Sequence, residues 1–217
     1  LVLFVTTVLS AQPVAQLKLE PVTPHSLTSL GLTTNSVSPA LPVFGNGTYV
    51  YLSANNVGDG EPITASSFNL FQRPATSAAV LEDVGSLGWK GLKADVKGAY
   101  KIQLSITTAT GTDLDTLTLF AGDYMGVGDV DGVAAGFPSC MSCHTGQAEF
   151  DAIYTRWQTT GHANTLKKAM DTWSFFSTSC LKCHSTGSDY NLVAANNGFD
   201  DVATALGWVW VNPPAPG

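Results

Sequence analysis

Two copies of one short motif, C-x-x-C-H, contain every cysteine of the chain. The first copy spans residues 140–144 and the second spans residues 180–184. In each copy, two thiols separated by two residues are spaced to bond the two vinyl groups of one porphyrin, and the next imidazole is placed to bind its iron. The motifs therefore predict two covalently attached haem c groups, with His144 and His184 as the proximal iron ligands. The predicted attachment residues are Cys140, Cys143, Cys180 and Cys183.

Other uses of paired cysteines fit this spacing less well. A four-cysteine zinc site usually separates its pairs by roughly 15–20 residues, whereas residues 144–179 lie between the pairs of this chain. Zinc would also leave both adjacent histidines without a role. A thioredoxin-like dithiol needs a βαβ setting that the surrounding sequence lacks, and disulfides closing such small loops would be strained.

The histidine count matches the predicted number of irons. The chain has 4 His, so two imidazoles remain once His144 and His184 are assigned, and these are His162 and His25. We expect both to act as distal ligands, which would give each haem two imidazoles. His25 would then reach a haem of its own subunit or of another one. Methionine is the competing sixth ligand, and the chain's methionines are Met125, Met141 and Met170.

The sequence before the first motif predicts β-structure. Residues 100–106 alternate between apolar and polar side chains, residues 109–113 form a turn, and residues 116–120 supply a return strand. Earlier predicted strands cover residues 49–53, 68–72 and 78–81. Several short strands separated by Gly-, Pro- and Asn-rich stretches predict an all-β immunoglobulin-like sandwich.

A local pattern supports this fold. The pattern D-x-x-G-x-Y, formed by Asp95, Gly98 and Tyr100, leads into the strand predicted over residues 100–106. The tyrosine corner of sandwich domains has a tyrosine at the same place. The alternative is that Asp95 and Gly98 only make a turn before a strand of some other β-fold. Since no cysteine is available for an inter-sheet disulfide, the segment resembles the cysteine-free immunoglobulin-like domains of the PKD type.

The sequence after Gly122 has a different character and predicts a small, mainly α and irregular c-type dihaem domain. Helical spacing predicts helices over residues 147–159, 163–172 and 200–206. The aliphatic core of this part is thin, which indicates that buried porphyrin would supply apolar volume. The predicted organisation is an apolar segment, a sandwich and a dihaem domain over residues 1–12, 13–122 and 123–217.

Composition excludes several classes of protein. The net charge is -7 and 44% of residues are hydrophobic, so the chain offers no basic surface for nucleic acid and is too apolar for intrinsic disorder. Residues 1–11, LVLFVTTVLSA, are too short to span a bilayer as a helix, so we expect no transmembrane span. This segment is either the remnant of a secretion signal or a first β-strand.

Together these features resemble the extracytoplasmic multihaem c-type cytochromes that carry an N-terminal PKD-like domain. The matching residues beyond the haem motifs are W-x-x-T-x-H-A at 157–163, which resembles a distal-ligand segment, and N-N-G-F-D at 196–200 followed by Gly207 and Trp208. The resemblance covers most of the chain. Relatives often hold more than two haems, so this sequence is either a short member or part of a longer product.

The resemblance implies electron transfer in the periplasm, at the cell surface or in the extracellular space, with redox proteins as partners and, in some relatives, assembly into haem-stacked filaments. We therefore expect an electron carrier and not an enzyme. The alternative is a haem redox enzyme whose one open iron position accepts a small ligand such as peroxide or a nitrogen oxide. A third hypothesis is a structural role, in which the β-domain and the apolar N-terminus build a homopolymer.

Overall fold

A computed structural model describes residues 11–33, 37–84, 87–124, 146–188 and 193–209. The predicted N-terminal segment covers residues 1–12, and its first ten residues lie outside the described residues. Contacts between backbone segments divide the chain into two units, Leu1–Gly122 and Asp123–Gly217.

The described residues of the first unit form eight strands in two sheets. Sheet one has the order β1-β3-β6-β5 and sheet two has the order β2-β8-β7-β4. One short helix, α1 (Leu27–Leu30), follows β1. The strands are β1 (Ala15–Glu20), β2 (Val43–Gly45), β3 (Tyr49–Asn56), β4 (Ala65–Gln72), β5 (Leu81–Val84), β6 (Trp89–Lys93), β7 (Gly98–Thr107) and β8 (Thr112–Gly122).

One apolar core joins the inner faces of the two sheets. Alternate residues of β7 are fully buried, as the period of a half-buried strand requires. Sheet one contributes fully buried side chains from β3 and β6 to the same cluster. The fully buried members from the three strands are Val50, Leu52, Leu92, Tyr100, Ile102, Leu104 and Ile106. The predicted β-sandwich is therefore confirmed.

The strand order is the one found in immunoglobulin-type sandwiches. Strands β1, β3, β6 and β5 take the places of A, B, E and D, and β4, β7 and β8 take those of C, F and G. Strand β2 adds to sheet two by pairing in parallel with β8. The predicted hairpin is confirmed as β7 and β8, which pair from Gly98 and Ala121 to Thr107 and Thr112.

The strand predicted over residues 78–81 lies three residues later, at β5 (Leu81–Val84). Asp95 explains the shift, because its carboxylate accepts hydrogen bonds from the Ser77 hydroxyl at 2.5 Å and from the Ala78 amide at 2.7 Å. These bonds hold the chain before β5 against the loop that precedes β7. The sequence does not predict β1, β2 or β6, of which β2 has only three residues and β6 contains Gly91.

The second unit contains four described helices. They are α2 (Ala148–Gln158), α3 (Gly161–Thr172), α4 (Thr178–His184) and α5 (Phe199–Ala205). The predictions of α2, α3 and α5 are confirmed to within two residues at each end, whereas α4 was not predicted. No described helix in either unit is long and apolar enough to cross a membrane.

Candidate haem-binding site

Helix α4 carries the second C-x-x-C-H motif. Within a helix, positions 180, 183 and 184 are related as i, i+3 and i+4, so all three belong to one side of α4. Cys180 is partly buried and packs against the apolar cluster of this unit. The imidazole of His184 is exposed, and its ring centroid lies 5.9 Å from that of Phe176. The side chain of Cys183 lies outside the described part of the structure.

The residue before α4 acts on the thiol of Cys180. A hydrogen bond from the Ser177 backbone is the main cause that lowers the pKa of Cys180, and the hydroxyls of Ser177 and Ser179 add to it. The Ser177 hydroxyl lies 3.8 Å from the Cys180 sulfur. A lowered pKa raises the thiolate fraction, and the thiolate is the nucleophilic form of cysteine. Ser177 is not among the site residues predicted from the sequence, where its only signal is a helix-capping residue type just before the motif.

The described residues of the second unit bury little apolar surface of their own. The one apolar cluster found there is built on Ala169, Phe176 and Leu181. Nearby, Trp173 and Phe175 stack with their ring centroids 5.4 Å apart, yet they are 36% and 75% exposed. Aromatic rings this exposed gain free energy when another apolar group covers them.

These residues fit a covalently attached haem. Helix α4 carries, on one side, the Cys180 thiol with its lowered pKa and the exposed imidazole of His184. The thin core and the exposed Trp173 and Phe175 provide apolar surface for a large planar group. The residues that the structure describes contain no group of three or more His, Cys, Asp or Glu side chains that could hold a metal ion. Attachment through the porphyrin does not need such a group.

The first motif cannot be described in the same way. Cys140, Cys143 and His144 lie outside the described residues, as do Met125 and Met141. Met170 lies within α3 and packs, partly buried, against the Phe176 cluster.

His162 is the second residue of helix α3. Its side chain is outside the described part of the structure, but the local fold explains the W-x-x-T-x-H-A segment. Thr160 is the N-cap of α3, and its hydroxyl accepts a hydrogen bond from the Ala163 amide at 3.3 Å. The Thr160 hydroxyl also donates to the Trp157 carbonyl at 2.7 Å. These bonds fix the corner between α2 and α3 at which the backbone of His162 lies.

His25 belongs to the other unit. It is exposed in a turn directly before α1 (Leu27–Leu30). The turn is closed by reciprocal bonds, because the Thr23 amide donates to the Ser26 hydroxyl at 3.0 Å and the Ser26 amide donates to the Thr23 hydroxyl at 3.2 Å. The two predicted distal ligands therefore lie in different units of the chain.

No family model, curated protein or solved structure matches this chain. The functional interpretation consequently rests on the chain's own residues. Among those residues, the second motif and the aromatic residues near it are the ones whose placement the structure describes.

Proposed function

We propose that this chain is a dihaem c-type cytochrome that transfers electrons outside the cytoplasm. The observation that carries the proposal is the pair of C-x-x-C-H motifs, which use all 4 Cys of the chain. The grouping of Cys180 and His184 on one side of α4 supports it for the second motif, as do the exposed rings of Trp173 and Phe175 shortly before that helix in the chain.

In this proposal the cysteines hold the haems and the histidines bind the irons. Cys180 and Cys183 would hold one haem with His184 as proximal ligand, and the motif at residues 140–144 would hold the other. When bound, each haem supplies an iron that changes between the ferrous and ferric states. Trp173 and Phe175 would exclude water from the part of a bound porphyrin that they cover. His162 and His25 would close the sixth positions, which keeps substrates from the metal and favours electron transfer over bond chemistry.

The proposed identity of the first unit is a PKD-like domain at the N-terminal side of the haem region. Three features support this: the strand order, the absence of cysteine from residues 1–122, and a tyrosine corner in which the Tyr100 hydroxyl donates to the Val96 carbonyl. The low charged fraction, 12%, is compatible with the proposed location in the periplasm, at the cell surface or outside the cell. Assembly into a haem-stacked filament is a further part of the proposal, which electron microscopy of native material tests.

Haem content is the decisive experiment. After expression with a c-type haem attachment system, the denatured chain should keep its red colour, and the pyridine haemochrome spectrum should give two haems per chain. Cys180→Ser combined with Cys183→Ser should retain one haem, whereas Thr178→Ala, at an exposed residue of the same helix, should retain both. A chain that binds no haem covalently, or that holds one zinc ion through its cysteines, would contradict the proposal.

The second candidate is a haem redox enzyme with one open iron position. It is favoured by one observation: His25, the fourth imidazole, belongs to the sandwich unit and not to the unit that carries the second motif. The ferric spin state distinguishes the candidates. Two low-spin haems that bind no cyanide support the electron carrier, and a high-spin haem that binds cyanide or azide supports the enzyme.

A further inference from the structure

A buried aromatic ring lies between α3 and α4 in the chain. Phe176 is 3% exposed and belongs to the same apolar cluster as Ala169 of α3 and Leu181 of α4. Its amide donates a hydrogen bond to the Trp173 carbonyl at 3.0 Å, which closes a turn directly after α3. Packing against both helices and this backbone hydrogen bond together fix the position of the Phe176 ring.

The imidazole of His184 lies against this buried ring. His184 is the last residue of α4. Its ring centroid is 5.9 Å from that of Phe176, and the two ring planes are tilted by 56°. This separation is in the range of favourable aromatic pairs. Since His184 is otherwise exposed, its imidazole is supported by Phe176 on one side and accessible elsewhere.

The backbone of α4 holds His184 in place beneath its side chain. The Ser185 amide donates a hydrogen bond to the Leu181 carbonyl at 2.9 Å, so the last turn of α4 is closed around His184. Leu181 is 4% exposed and packs in the same cluster as Phe176. With the backbone held, the imidazole can still rotate about its side-chain torsions. The contact with the Phe176 ring restricts that rotation.

The orientation of an imidazole matters when it binds a metal. Groups that contact a ligating histidine set the direction of its ring, and their loss typically weakens binding or changes the properties of the metal. In the usual case the neighbouring group accepts a hydrogen bond from the second ring nitrogen. Phe176 can supply the same restriction through ring contact, because its own position is fixed by the cluster.

We propose that Phe176 is a positioning residue whose buried ring sets the plane of the His184 imidazole for iron binding. The inference rests on the proposed function, since His184 is a proximal ligand only if the second motif holds a haem. Phe176 acts through His184 and not on the iron. Its role differs from that of Trp173 and Phe175, whose exposed rings would cover the porphyrin.

The test is proton NMR of the full chain with both haems attached. In a ferric low-spin haem, the shifts of the porphyrin methyl groups depend on the directions of the axial imidazole planes. Phe176→Leu keeps an apolar side chain but removes the ring. It should therefore change the methyl shifts of one haem and leave those of the other haem as they are in the wild type.

Phe199→Leu is the matched control. Phe199 packs against the same apolar cluster, and its ring contacts that of Trp208 with 5.6 Å between the centroids. The same loss of a ring at this position should leave the methyl shifts of both haems unchanged. The pyridine haemochrome spectrum should give two haems per chain for both variants.

A measurement on the wild-type chain needs no substitution. In the ferrous low-spin form, which is diamagnetic, nuclear Overhauser effects should connect the ring protons of Phe176 and His184. The inference is overturned if these effects are absent, if Phe176→Leu changes no methyl shift, or if Phe199→Leu changes the shifts equally. Any of these results in a chain with two haems would leave the proposed function standing. A chain without covalent haem would remove both.

Discussion

The hydroxyl of Tyr100 donates a hydrogen bond to the carbonyl oxygen of Val96 at 2.6 Å, and the Val96 amide donates back to that hydroxyl at 3.2 Å. The predicted tyrosine corner is thus present. The Asp95 carboxylate lies 3.2 Å from the same hydroxyl. Since the Tyr100 ring is fully buried in the sandwich core, these bonds fix the loop before β7 to the core.

Removing the Tyr100 hydroxyl should destabilise the sandwich. Tyr100→Phe keeps the buried ring but leaves the Val96 carbonyl without this donor, and an unpaired buried polar group costs about 1–3 kcal/mol. Urea unfolding followed by circular dichroism measures the free energy of unfolding. Tyr49→Phe, at a partly exposed ring of β3, is the control and should have a smaller effect. Equal losses for the two variants would show that the corner adds no stability of its own.

Asp59 makes the stability of the sandwich depend on pH. The hydroxyl of Thr110 is the main cause that lowers the pKa of Asp59 from its ordinary value of 3.8 to about 2, and Asn56, the Glu61 amide and Thr108 add to this effect. Because the pKa is lower in the folded state, the ionised carboxylate stabilises the fold. That contribution is complete above about pH 4 and is lost as pH falls towards 2.

Asp59→Asn should therefore reduce the loss of stability between pH 4 and pH 2. The measurement is the urea midpoint of the β-sheet circular dichroism signal at several pH values. Glu149→Gln, on the exposed surface of α2, is the control. An acid transition of unchanged steepness in Asp59→Asn would contradict the assignment of the lowered pKa to this residue.

Gly187 lies where two backbone segments of the second unit approach closely, so this position should tolerate no side chain. Gly187 has φ +70, and a Cβ there would meet the Tyr124 ring and lie 2.8 Å from the Cα of Gly198. Gly187→Ala should cost about 1–2 kcal/mol for the left-handed backbone and about 1–3 kcal/mol more for overpacking. Gly207→Ala is the control, because Gly207 has φ +60 and a Cβ added there would meet no atom within 4 Å. Thermal unfolding of the helical signal compares them, and equal shifts would contradict the predicted crowding.

The distal ligands can be assigned by substitution. In the proposed electron carrier, His162→Ala and His25→Ala should each convert one haem from bis-histidine low spin to a form that binds cyanide. Near-infrared magnetic circular dichroism identifies the ligand pair, and Met170→Leu controls for methionine ligation. Spectra unchanged by both histidine substitutions would refute the assignment.

The predictions from sequence succeeded where a local pattern was repeated over several residues. The alternation in β7, the hairpin to β8 and the apolar spacing of α2 and α3 each predict an element that the structure contains. They failed where long-range bonds decided the outcome. Asp95 holds Ser77 and Ala78 away from a strand, and short strands such as β2 exist because a distant strand, β8, pairs with them.

The sequence by itself predicted the chemistry that we propose for the chain, because the spacing of two thiols and an imidazole within five consecutive residues can be read without the fold. It also determined the β-sandwich and the change of character after Gly122. Only the tertiary structure decided that the carboxylates of Asp113 and Asp115 accept hydrogen bonds from the amides of Ala15 and Leu17 in β1. Likewise, it decided that the rings of Trp173 and Phe175 are exposed beside α4. These features depend on contacts between residues far apart in the chain, which no local periodicity records.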